Sequence, residues 1–161
     1  MRRMLTAGFI AFGLAAAATA AMTEKEKAQK EPFPNDFGPD SIDVAAYPAG
    51  MKAKYEVFKK CGQCHSIARP INSQLYKTDE WKRYVKRMMA KPGCEIGKAG
   101  KDIFEFLAFD SKERKEKHKA EFKAHRLKLL VDFKAKYADR WKTLFEDRTP
   151  EQEVAREFPG W

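Results

Sequence analysis

Cys61-Gly62-Gln63-Cys64-His65 restricts this chain more than any other stretch. Two thiols at i and i+3 sit about one helical turn apart, on one side of the backbone, with an imidazole immediately after them. The chain has three cysteines, the third being Cys94. An odd number suits a disulfide framework poorly, and suits a site that consumes Cys61 and Cys64 for another purpose. A redox dithiol of the thioredoxin kind needs a strand feeding a helix, and no segment here alternates apolar and polar residues long enough to be that strand. A tetrahedral zinc site needs a second pair of ligands, and no further C-x-x-C or H-x-x-H follows.

The sequence around the motif reads as helices. Met51, Tyr55 and Phe58 fall at i, i+4 and i+7 in a helix from about Gly50 that runs straight into Cys61. Thr78 looks like an N-cap, with Asp79 and Glu80 in the first turn, followed by an apolar face of Trp81, Tyr84, Val85, Met88 and Met89. Lys91-Pro92-Gly93 ends that helix. A third helix spans about Lys98 to Phe109, with Ile103, Phe106 and Leu107 on one face and Phe104 beside them, and Asp110-Ser111 punctuates it. One long charged helix is expected from Ser111 to Asp147, supported by Glu113 four before Lys117 and carrying a stripe of Leu127, Leu130, Val131, Ala138, Trp141, Leu144 and Phe145. Thr149-Pro150-Glu151-Gln152 has the pattern of a capping box for a last short helix, ended by Pro159-Gly160. The expected fold class is all-α.

Residues 1–20 stand apart. Arg2 and Arg3 precede an apolar run from Met4 to Ala18, and Ala18-Thr19-Ala20 offers a small-residue cleavage site, the form of a secretory signal. The run is short for a membrane span, and no second one follows. Residues 21–48, with Pro32, Pro34, Pro39 and Pro48, form an extended arm. Residues 49–110 carry the motif domain, and residues 111–161 form a C-terminal helical extension.

C-x-x-C-H is the attachment signature of c-type haem. Each thiol can form a thioether to one vinyl group of the same haem, and His65 is then held beneath the iron as its proximal ligand. In a chain with three Cys and three His among 161 residues, chance gives this spacing about once in a thousand cases. Export agrees with it, because c-type haem is attached outside the cytoplasm. The cofactor expected is one covalently bound haem c. The sixth iron ligand is open on the sequence: Met88 is the first choice and Met89 the second, with His118, His125 or no side chain as the other options. Helical methionines ordinarily fill cores, and histidines on a Lys/Glu face are ordinarily solvated. Cys94 is spare, and reads as a small apolar side chain near the distal side, with an intermolecular disulfide as the alternative.

With these parts the chain resembles the class I c-type cytochromes over about residues 50–109. The resemblance rests on the helix with Tyr55 and Phe58, Cys61–His65, the middle segment from Trp81 to Met89, and a last helix with Phe104 and Leu107. It implies a small haem domain whose first and last helices cross, and a methionine closing the second face of the iron. Met88 follows His65 by 23 residues, a shorter interval than is usual in that family, so compressed loops are implied.

The charge points to partners. Without Arg2 and Arg3 the 32 basic residues fall by two against 23 acidic ones, leaving about +7. Acidic redox proteins are the expected partners, oriented by Lys59, Lys60, Lys86 and Arg87; nucleic acid is not expected of an exported chain. The mean hydropathy of -0.65 argues against an integral membrane protein. The function expected is single-electron transfer in the periplasm, not enzyme catalysis. The alternatives are a haem-containing docking subunit, associated with a membrane complex through its C-terminal helix, and a gas-binding haem sensor with a labile sixth ligand.

Overall fold

The computed structural model describes residues 31–161. The signal sequence read at 1–20 and the start of the arm lie outside the described residues. Within them the chain is all-helical, as expected, with no strand. Helix α1 is Ala49–Phe58, α2 is the single turn Ala68–Ile71, α3 is Thr78–Met89, α4 is Gly100–Asp110, α5 is Lys119–Lys136, α6 is Ala138–Phe145 and α7 is Pro150–Glu157.

Helix α1 packs across α4. Tyr55 and Phe58 meet Phe106 at ring separations of 5.3 and 5.1 Å, with Ile103 and Leu107 buried beside them. Helix α3 closes this core with Trp81 and Val85. Its N-cap position is Lys77, one residue before the expected Thr78. The carboxylate of Glu80 does the capping, accepting from the amides of Tyr76 (3.2 Å) and Lys77 (3.0 Å).

The long helix expected over 111–147 is in fact three pieces. Asp110-Ser111 is no boundary: α4 passes without a break into a π-helical turn, Ser111–Glu116. The chain breaks instead at Lys117–His118 and at Tyr137, whose φ of -133° and ψ of 58° leave the helical region. These breaks fold α6 and α7 back on α5, so that Phe122, Leu130, Phe133, Trp141, Val154 and Phe158 form a second core. Val131, expected in the stripe, is 44% exposed, and Phe133 takes the buried place. Helix α7 starts on the capping box read from Thr149, which accepts from the Gln152 amide (3.2 Å) while Gln152 Oε1 accepts from the Thr149 amide (2.8 Å).

A polar seam joins the two cores. Trp81 Nε1 donates to Ser111 Oγ at 2.7 Å, and Arg114 donates to the Ile71 carbonyl and to Asp110. The extension therefore packs on its own domain, and the arm straps both. Asp36 receives Arg69 at two points (2.6 and 2.8 Å), and the Phe37 ring packs on Phe133 and Tyr137. Asn72 Nδ2 donates to the carbonyls of Asn35 and Pro39. Gly38 passes so close that a Cβ there would overlap the Asn72 side-chain amide, which explains the glycine.

His125 crosses the seam and donates from Nε2 to Asn72 Oδ1 at 2.9 Å. Burial, then Arg114, Arg126, Lys115 and Lys128, hold its pKa below the usual 6.5. The unfolded chain therefore binds more protons as pH falls through 6.5, and the fold loses stability below that value until His125 itself titrates. Urea denaturation at pH 7.5 and 5.0 is expected to show a smaller acid loss in His125→Gln than in the parent; an equal loss would place the effect elsewhere.

Candidate functional site

The motif does not continue the α-helix, as its sequence suggested. Helix α1 stops at Phe58 and tightens into a 3-10 turn, Lys59–Gln63. Cys61 lies inside this turn and Cys64 caps its C-terminal end, and both line the same cavity. Neither is in a disulfide.

That cavity has a volume of about 610 Å³. Its size falls in the range of ~300–1,000 Å³ usual for small-molecule and cofactor sites. Cys61, Cys64 and His65 line it together with Met88 from α3. Apolar walls come from Phe33, Leu75, Tyr84 and Ile96, and cationic ones from Lys60, Arg69, Arg87 and Lys91. A site for a flat, largely apolar group with charged edges needs this combination.

His65 Nδ1 lies 2.9 Å from the Ser66 carbonyl. A carbonyl only accepts, so Nδ1 carries the proton, and the neutral ring keeps the Nε2 lone pair for a ligand bond. Burial lowers the pKa of His65, which favours that neutral form. Burial also pushes the Cys61 thiol up to about 12, with Cys94 and then Cys64 adding to the shift.

The candidates for a second iron ligand separate by position. Met88 is half-buried against the first core and lines the cavity. Met89 is 45% exposed, with its sulfur over Gly100, and is not among the lining residues. His118 is exposed at the start of α5, and His125 is spent on Asn72; neither lines the cavity. Cys94 does line it. Of the basic residues expected to steer partners, Lys60 and Arg87 stand at the cavity, Lys86 lies beside them on α3, and Lys59 is paired with Glu56 at 2.7 Å.

The residues present fit a covalently held haem: two thiols, a neutral imidazole and a thioether line one largely apolar cavity with a cationic rim. Among the described residues no three or more His, Cys, Asp or Glu side chains converge on a common point as a metal-ion site. A haem iron held by one imidazole and one thioether does not require such a group.

The arm and the loop Ser73–Leu75 are parts of the site that its motif did not announce. Phe33 and Asn35 line the cavity, and Tyr84 faces it from the apolar side of α3. Tyr84 was readable as a core position; the arm has no periodicity from which its place could be read. Compared with family models, curated proteins and solved structures, the chain matches none.

Proposed function

We propose that this chain is an exported monohaem c-type cytochrome that carries single electrons between redox partners in the periplasm, and is not an enzyme. The observation that carries the reading is the meeting of Cys61, Cys64 and His65 with Met88, from a separate helix, around one cavity. Haem c, when bound, supplies a one-electron ferrous–ferric couple. The residues of the chain do the rest. Cys61 and Cys64 would tether the group, His65 would offer Nε2 to the iron, and Met88 would offer its sulfur as a second ligand. Phe33, Leu75, Tyr84 and Ile96 would give the group apolar walls, beside which each charge near the iron weighs more than it does in water. Lys60, Arg87 and Lys91 give the rim a positive sign suited to acidic partners. No helix among the described residues is long and apolar enough to cross a membrane.

The test is the visible and near-infrared spectrum of the exported protein, oxidised and reduced. Covalent haem with an iron–methionine charge-transfer band is the expected result, and Met88→Ala is expected to abolish that band and to let the reduced protein bind carbon monoxide. Met89→Ala should leave both properties as in the parent. A protein without haem would overturn the reading, and a band that survives Met88→Ala would remove Met88 as ligand.

A further inference from the structure

Lys115 has no exposed surface at all. It projects from the π-helical turn Ser111–Glu116 into the seam. Its Nζ donates to the carbonyls of Ser73 and Leu75, both at 2.8 Å. It also lies 5.0 Å from the ring centroids of Trp81, in the first core, and of Phe122, in the second. Taking an ammonium out of water costs several kcal/mol, and burial drives the pKa of Lys115 well down. A methionine would fill similar space without that cost. What the lysine adds is two directed hydrogen bonds to a single loop.

That loop is a wall of the cavity: Ser73, Gln74 and Leu75 all line it. Ser73 is 4% exposed, and its Oγ has no hydrogen-bond partner. A buried hydroxyl without a partner has lost its water and gained nothing in exchange. A buried donor without an acceptor, on a residue that lines the cavity, calls for a ligand with an acceptor. Haem carries carboxylate side arms, the strongest acceptors such a ligand could bring.

We propose that Ser73 is a haem-binding residue, donating its hydroxyl to a carboxylate side arm, and that Lys115 is the positioning residue that holds Ser73 in place from the C-terminal extension. The proposal rests on the haem reading above. It makes the extension a working part of the cofactor site, although none of the residues 111–161 lines the cavity.

Ser73→Ala, Lys115→Met and the double variant test it. Ser73→Ala removes one oxygen that has no partner in the protein, so it is expected to fold and to take up haem. Its reduction potential, and the pH dependence of that potential, should depart from the parent's. Lys115→Met should move the potential in the same direction. The double variant should match Ser73→Ala alone, because both changes act through one hydroxyl. A Ser73→Ala protein with the parent's potential at every pH would overturn the proposal, since the hydroxyl would then hold no more than a water molecule. Additive shifts in the double variant would overturn the positioning role of Lys115. Should Lys115→Met fail to fold, the Ser73→Ala potential still decides the binding role. Should the parent take up no haem, the functional reading itself has failed; amide exchange over residues 73–76 in haem-free Lys115→Met then decides the positioning role, with faster exchange expected and unchanged exchange overturning it.

Discussion

Cys61→Ala/Cys64→Ala, expressed with export and haem attachment intact, is expected to carry no haem that survives denaturation. The expectation follows from the 3-10 turn Lys59–Gln63 and its cap Cys64, which bring both cysteines to the wall of one cavity. Each single variant keeps one cysteine at that wall and should retain a reduced amount of haem through one thioether. The double variant keeps His65 and Met88, so non-covalent uptake at high haem concentration is still open to it, with the weaker hold of ligand bonds alone. Its melting temperature should fall by roughly 10 °C relative to the loaded parent, because the cavity loses the group that covers its apolar walls. The checks are haem staining after denaturing electrophoresis, and thermal melts with and without added haem. Haem that stays covalently attached to the double variant would show that Cys94, the remaining cysteine at the cavity, accepts it, and would break the assignment of Cys61 and Cys64.

The motif of the candidate site was legible because it is local. Two thiols and an imidazole within five residues keep their relation in any helix-like turn, so Cys61, Cys64 and His65 could be read without tertiary structure. Met88 was legible one step further out, since Trp81, Val85 and Met88 share a face of α3 and that face turns to the core. The arm was legible only as a non-helix, because its place depends on partners far along the chain: Arg69 for Asp36, Arg126 for Asn35, and Phe133 and Tyr137 for Phe37. The breaks in the extension carry neither proline nor glycine, so nothing in the pattern opposed one long helix. The pair Glu113–Lys117 formed on the surface as its spacing suggested, but Lys115 between them is buried. In a Lys/Glu run, propensity gives the same answer for a solvated lysine and a buried one, and only the carbonyls of Ser73 and Leu75 tell them apart. Arg126 had a signal that went unread. It stands in register with Phe122, Leu129, Leu130 and Phe133, at i+4, i-3, i-4 and i-7 to them, so a cation sits inside an apolar stripe.

That register leads to the largest stability effect expected from one substitution away from the motif. Arg126→Ala is expected to cost about 3–5 kcal/mol. Arg126 is 1% exposed and its partner Glu157 5%, so water screens neither. Nε and Nη2 form a two-point pair with the Glu157 carboxylate at 3.0 and 2.5 Å, and Nη1 donates to Asn35 Oδ1 at 2.6 Å and to the Asn72 carbonyl at 2.8 Å. Alanine leaves a buried carboxylate unpaired and two further acceptors without their donor, in addition to the space vacated. The loss therefore belongs to the orphaned partners and is not the net worth of the ion pair. Arg126→Met/Glu157→Met separates the two: it removes both charges, fills the volume, and is expected to recover most of the stability lost by Arg126→Ala. Urea denaturation of the parent and both variants measures this, and a cost for Arg126→Ala below about 1 kcal/mol, the level of an exposed pair, would contradict the burial described. The consequence reaches the cavity. Asn35 lines it, and Asn72 precedes the Ser73–Leu75 wall. Arg126→Ala should thus speed amide exchange over residues 33–39 and 72–75 more than over α3, where no Arg126 partner lies. Equal acceleration in all three would mean that the guanidinium supports the fold as a whole, with no preferred hold on the cavity's arm and wall.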